Sequence, residues 1–287
     1  MISIFPVPGN SPTSTTRSVF AGFFSITAPA GSDCRTMKES SMNIQSVPAG
    51  RGWKWIVAAF NLFKKNPLIW IVLHLILILI GMGLIIVPVI GPYLLYLLTP
   101  LLLGGLMSAA KDIESGQDIE IAHLFRGFRQ NTSHLITVGG VYLVGQVVIS
   151  GVMMMLGGPE LQQALQVGVE GIDPAGITPE FATRILMALL VGMALLVPLA
   201  MATWFSPALV ILDGQSGFAA MSESVRASLR NMQPFLVYGV FSLLLLIVAL
   251  IPFGVGLVLW IPVMVLTMYT SYRDVFATAA TPERATA

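Results

Sequence analysis

The sequence predicts an all-α polytopic membrane protein: six transmembrane helices arranged as three repeats, each an interfacial amphipathic helix followed by a transmembrane hairpin. Three observations carry this. First, no Asp, Glu, Lys or Arg occurs between Lys65 and Lys111 or between Arg230 and Arg273, and shorter gaps run from Arg129 to Glu160 and from Arg184 to Asp213. A hydrocarbon core about 30 Å thick needs roughly 20 apolar residues per helix, so the long gaps each hold two spans and the short ones one. Second, 55% of residues are hydrophobic and 10% charged, with a mean hydropathy of +0.83, outside the usual soluble range. Third, Pro- and Gly-rich turns divide the long gaps, at Val87-Pro88-Val89-Ile90-Gly91-Pro92 and at Ile251-Pro252-Phe253-Gly254-Val255-Gly256. Helices stop before such prolines and restart at them.

Residues 1–48 form a tail rich in Ser, Thr, Pro, Gly and Ala, with Arg17, Arg35 and Lys38 scattered through it. Such a stretch buries too little apolar area to offset its ordering entropy and is expected to be disordered. Read as a signal peptide, it offers Arg17 as the n-region, Val19 to Thr27 as a short h-region and Ala28-Pro29-Ala30 as the cleavage site. Cleavage there would export Lys54, Lys64 and Lys65, against the charge distribution below; a start at Met37 or Met42 is a third reading. The six-helix domain occupies residues 49–276, and 277–287 form a second disordered tail.

Along the domain, Trp55, Ile56, Ala59, Phe60 and Phe63 share one helical face opposite Lys54, Asn61, Lys64 and Lys65, and this first interfacial helix ends at Asn66. Spans 67–87 and 92–111 follow. Ile121, Leu124, Phe125 and Phe128 oppose Glu120, His123 and Arg126 in a second interfacial helix ending at Asn131, before spans 132–156 and 183–212. In the loop 157–183, Pro159 opens a short helix whose Leu161, Ala164, Leu165, Gly168 and Val169 form a stripe suited to the outer membrane face. Phe218, Met221, Val225 and Leu229 oppose Glu223, Arg226 and Arg230 in a third interfacial helix ending at Asn231, followed by spans 232–251 and 254–273. The second helix of each hairpin carries a proline (Pro100, Pro207, Pro262) and an aspartate at or beyond its end (Asp112, Asp213, Asp274). That order is an internal threefold repeat.

Charge sets the expected orientation. The side holding both termini carries 14 of the 15 Lys and Arg residues, all but Arg184, while the opposite side has Glu160, Glu170, Asp173 and Glu180. The positive-inside rule then places both termini in the cytoplasm. The single cysteine, Cys34, excludes an intramolecular disulfide and a cysteine-built metal cluster.

Several motifs carry a family resemblance: Pro48-Ala49-Gly50-Arg51-Gly52-Trp53-Lys54-Trp55, Phe63-Lys64-Lys65-Asn66-Pro67, His123-Leu124-Phe125-Arg126-Gly127-Phe128, Phe205-Ser206-Pro207-Ala208-Leu209-Val210 and Ser271-Tyr272-Arg273-Asp274-Val275-Phe276. From about Pro48 to Phe276 the chain resembles an uncharacterised family of Gram-negative inner-membrane proteins. The proline-bearing fourth helix followed by Ala220-Met221 and Ser224 is more distantly similar to the non-catalytic membrane domain fused to some glycerophosphodiester phosphodiesterases. The resemblance implies six helices and the inner membrane; it implies no activity.

Candidate site residues fall into two groups. His74 is the one ionisable side chain deep in a span, and Gln146, with Tyr142 and Ser150, makes span three polar; an intramembrane polar site competes with plain interhelical hydrogen bonding. At the charged end, Asn66, Asn131, Asn231, Asp112, Asp213 and Asp274 either converge as a collar, with Lys65, Arg129 and Arg230, or act as separate caps and ion pairs. Packing is expected to be tight along Gly104, Gly105, Ser108 and Ala109 in span two and Ala188 and Gly192 in span four. His123 and His134 lack ligand partners at metal spacing, and Met153-Met154-Met155 lacks an accompanying His or Cys, so no metal or cofactor is expected. Ser206 has no nucleophile elbow or adjacent His, which argues against an enzyme. Membrane lipids and other membrane proteins are the expected partners, with no nucleic acid. A non-enzymatic envelope scaffold is the leading reading, and a channel or carrier for a lipid or neutral small solute the alternative.

Overall fold

The computed structural model describes residues 44–167 and 178–276, and every regular element among them is helical. The tail 277–287, most of the tail 1–48 and the middle of the outer loop lie outside the described residues. The last part of the first tail does not: Gln45 N donates to Val275 O at 2.9 Å, and Ile44 and Val47 pack against the core.

Helix α1 (Arg51–Lys65) buries Trp55, Ile56, Ala59, Leu62 and Phe63 and ends with Lys64 and Lys65, cations suited to a helix C-terminus. Asn66 then caps α2 (Pro67–Ile85), accepting from Ile69 N at 3.5 Å, with Pro67 in the first turn where its missing N–H costs nothing. Of α2 only Trp70, Leu73 and His74 are buried, so nearly all of its apolar surface faces outward, as lipid contact requires. Helix α3 (Ile90–Glu114) is the most enclosed of the long apolar helices. A 3-10 helix, Ile121–Phe128, forms the second amphipathic element and is tighter than the α-helix expected there.

Helix α4 (Thr132–Val167) is interrupted at Gly158, which adopts φ 61° and ψ −160°, and the helix resumes at Pro159 where the sequence places a short outer helix. The expected fourth span, a single helix over 183–212, is two helices: α5 (Pro179–Trp204) and α6 (Ser206–Asp213). Pro207 supplies no N–H, and its ring conflicts with the carbonyl four residues back, so the break falls just before it. Helices α7 (Gly217–Arg230), α8 (Met232–Leu250) and α9 (Leu257–Phe276) complete the domain.

Among the described residues, five stretches are long and apolar enough to cross a membrane: α2, α3, α4 to Pro159, α5 with α6, and α8. Helix α9, at the position of the sixth expected span, has 20 residues, but polar side chains fill its last third. Helix α1 packs on α8 and α9, the 3-10 helix on α3, and α7 on α4, α5 and α6. Two of the small residues predicted to line a close contact on α3 do so, against different partners. A Cβ on Gly104 would touch Leu135 of α4, whereas one on Gly105 would overlap the backbone carbonyls of His123 and Leu124 in the 3-10 helix. Gly127 of the 3-10 helix returns the contact, backed against the Leu101 carbonyl. On α5, Ala188 is buried and Gly192 packs against Met153 of α4.

Candidate functional site

Polar chemistry concentrates where the amphipathic helices meet the hairpin ends. Asp112, near the end of α3, accepts from Arg126 and from His123 Nε2 at 3.1 Å, and Arg126 also donates to Ser108 Oγ at 2.8 Å. His123 Nδ1 lies 3.0 Å from both the backbone N and O of Glu120 in a capping box, which orients the ring with Nε2 facing Asp112. Asp274, near the end of α9, receives a two-pronged contact from Arg51, with Nε 2.8 Å from Oδ2, and accepts from Trp55 Nε1 at 2.8 Å. The hydrogen bond to Asp274 raises the Arg51 pKa above its ordinary value, ahead of the opposing effect of burial. Asp213, closing α6, accepts from Tyr272 of α9 at 2.6 Å. Glu114 accepts from Tyr269 at 2.6 Å and pairs with Arg273. Lys65 donates to Ile113 O and Glu114 O at 3.0 and 3.3 Å, tying the end of α1 to carbonyls in the last turn of α3. Tyr269, Tyr272, Arg273 and Asp274, in the C-terminal turns of α9, thus reach α1, α3 and α6.

The three asparagines do different work. Asn66 is the N-cap described above. Asn131, at φ 53°, donates to Val210 O at 2.8 Å, capping a carbonyl in the last turn of α6 instead of an N–H of its own helix. Asn231, 1% exposed, accepts from Val47 N at 2.9 Å and donates to Gln45 O and Ala227 O at 3.0 Å each. Its amide stands in for a peptide unit and straps residues 45–47 onto the end of α7. N-capping, the role the sequence suggests for all three, holds only for Asn66.

The intramembrane candidates have separate partners. His74 Nδ1 bonds Trp70 O at 2.8 Å, one turn back. Its Nε2 and Trp70 Nε1 are both buried and have no hydrogen-bond partner among the described residues. Gln146 Nε2 donates to Tyr142 OH at 3.0 Å along α4, and Tyr142 meets Tyr96 of α3 edge-on at 5.7 Å.

Ser224, named from sequence only within a distant resemblance and given no role there, has a side chain that completes the broken helix. Phe205 N donates to Ser224 Oγ at 3.0 Å and Ser224 Oγ donates to Met201 O at 2.6 Å. Met201 O and Phe205 N are the i and i+4 groups that an unbroken helix would join directly. A hydroxyl from α7 therefore occupies the missing rung and ties that helix to the α5–α6 hairpin end. Arg51, Trp55, Tyr269 and Tyr272 were likewise assigned no polar role from sequence; their signal is spacing, since Arg51 with Trp55 at i, i+4 and Tyr269 with Tyr272 at i, i+3 each share a helix face.

Long apolar helices fastened at one end by ion-paired amphipathic helices define a helical integral membrane protein. The chain belongs to the family that carries a domain of unknown function, DUF7847, whose profile matches residues 55–284. It is 32% identical over 204 residues to a protein of Burkholderia thailandensis described as a probable inner membrane protein, an overlap of 69% of this chain and 74% of that one. The expected kinship with uncharacterised inner-membrane proteins is thus found. No solved structure matches the chain.

Proposed function

We propose that the protein is a six-span, non-enzymatic scaffold of the inner membrane with both termini in the cytoplasm, organising partner proteins or lipids through its three amphipathic helices. The observation that carries the reading is how the carboxylates are used. Asp112 and Asp274 bind amphipathic helices to hairpin ends, while Glu114 and Asp213 bind hairpin ends to one another. Carboxylates committed to such contacts brace a platform; a gate or carrier site needs them available to a solute. The packing follows a cyclic order that agrees with a threefold repeat, each amphipathic helix seated on the hairpin before it and α1 seated on the last. Helix α9, about 30 Å long at 1.5 Å per residue, is long enough for the sixth span. The distant similarity to membrane domains fused to phosphodiesterases fits a supporting role.

The competing reading, a channel or carrier for a lipid or neutral solute, draws on the unpartnered nitrogens of Trp70 and His74 inside α2. Purified protein in proteoliposomes separates the two. The scaffold predicts neutral-solute flux and lipid exchange no faster than in protein-free vesicles; a faster rate rejects it. In cells, a photo-crosslinker replacing Phe218, an apolar side chain 71% exposed on α7, should capture one recurring protein that Phe218→Asp no longer retains. Topology has its own test: reporters at residues 118, 220 and 285 should read out as cytoplasmic and one at residue 170 as periplasmic. A cytoplasmic signal at 170 would overturn the orientation.

A further inference from the structure

Helices α8 and α9 diverge below α1 and leave a cleft of about 510 Å³. Leu245 and Val248 line it from α8, Leu259 and Trp260 from α9, and Val57 and Phe60 from α1. No polar demand comes from the Trp260 indole, which already donates to Ser242 O at 3.2 Å. The upper limit is set where Thr270 of α9 donates to Trp55 O of α1 at 3.0 Å, and the cleft runs down to Gly256. At 1.5 Å per residue that distance is about 21 Å, more than the ~15 Å of one leaflet's hydrocarbon. The lining presents almost no polar surface, so its occupant needs no hydrogen-bond partner along this length. A hydrocarbon chain is the occupant that fits.

One cation stands at the cleft's α1 edge. Lys64 Nζ lies 5.1 Å from the ring centroid of Phe60, while Arg51 is committed to Asp274 and Lys65 to the end of α3. An apolar slot with an ammonium at its interfacial edge selects an amphiphile of opposite charge. We propose that the cleft between α8 and α9 holds one acyl chain of an anionic phospholipid from the leaflet on the α1 side, with its phosphate at Lys64. This assignment rests on the reading above that α8 and α9 cross the bilayer.

Trp53 and Trp260 both border the cleft, which gives the site an optical readout. The full chain is reconstituted in phosphatidylcholine vesicles doped with phosphatidylglycerol or phosphatidylcholine brominated on the acyl chains, and tryptophan quenching is titrated. Brominated phosphatidylglycerol should half-quench at about a fivefold lower mole fraction, the preference expected of one lysine beside a lipid headgroup. Lys64→Gln should abolish that preference and Lys64→Arg retain it; replacing Trp53 and Trp260 by Phe should remove the selectively quenched component. Equal quenching by the two lipids would overturn the site, and so would a preference that survives Lys64→Gln or the double Phe variant. Absence of quenching by either lipid, as when a second copy of the chain covers the cleft, would overturn it as well. None of these outcomes moves the topology reporters, whereas failure of the membrane-spanning reading does.

Discussion

Gly105→Leu should detach the 3-10 helix from α3 and cost more than about 3 kcal/mol, beyond the usual range for overpacking. The obstacle is main chain. A Cβ at residue 105 overlaps the carbonyls of His123 and Leu124, and backing the 3-10 helix away also opens the close contact of Gly127 with the Leu101 carbonyl. Detachment also separates Arg126 and His123 from Asp112. Gly127→Leu should behave alike. Gly192→Leu is the calibrating variant, since a Cβ there meets only the Met153 side chain, which is unbranched and can move. Thermal unfolding in detergent, followed by size-exclusion profile, should rank Gly105→Leu and Gly127→Leu well below Gly192→Leu. Equal behaviour of all three would show that the α3 contact is not the tight one.

Asn231→Leu should be the second large effect, at about 2–4 kcal/mol. Three hydrogen bonds disappear, each worth about 0.5–1.5 kcal/mol net, and the amide of Val47 and the carbonyls of Gln45 and Ala227 lose a partner within a buried site. Asn231→Asp keeps the acceptor for Val47 N but loses both donated bonds and buries a charge, so it should not rescue. Hydrogen exchange at Val47 and protease cleavage between residues 44 and 50 should both accelerate in the two variants. Unchanged protection would mean that Val275 O and the apolar contacts of Ile44 and Val47 hold this segment unaided.

The long helices were legible because a membrane imposes a coarse rule: residues that cannot be desolvated are absent, and the gaps are visible without knowing any contact. The amphipathic helices were legible for the same kind of reason, from period and charge. The Asn66 cap was readable because cap and helix adjoin in sequence. What could not be read are groups satisfied from elsewhere in the chain. Asn131 serves a carbonyl 79 residues away, Asn231 a strand of main chain more than 180 residues away, and Ser224 a rung broken by a proline in another helix. The break before Pro207 was itself available from sequence, but four prolines lie beyond the first turn of predicted spans and only one divides its helix. Pro100, Pro198 and Pro262 are carried within continuous helices. Which proline breaks depends on whether a neighbour supplies the missing hydrogen bond, and that is tertiary information. The partnering of Asp213 and Asp274 was hidden likewise, since it depends on where α9 ends relative to α1 and α6.

The fork between Arg51 and Asp274 joins residues 223 positions apart, the first helix of the domain to the last. Ribosomes add about 5–20 residues per second, so roughly 10–45 s separate the synthesis of the two partners. For most of that interval α1 exists without α8 or α9, the helices on which it packs most extensively. The bilayer interface is the available refuge for a helix of this pattern. On the six-span reading proposed above, biogenesis then has a late step, in which α1 leaves the lipid surface and is captured by the final helix pair. Chains truncated before α9 should retain their early hairpins in the membrane yet expose α1 to protease, and a nascent chain stalled there is the form that quality-control proteases would meet first.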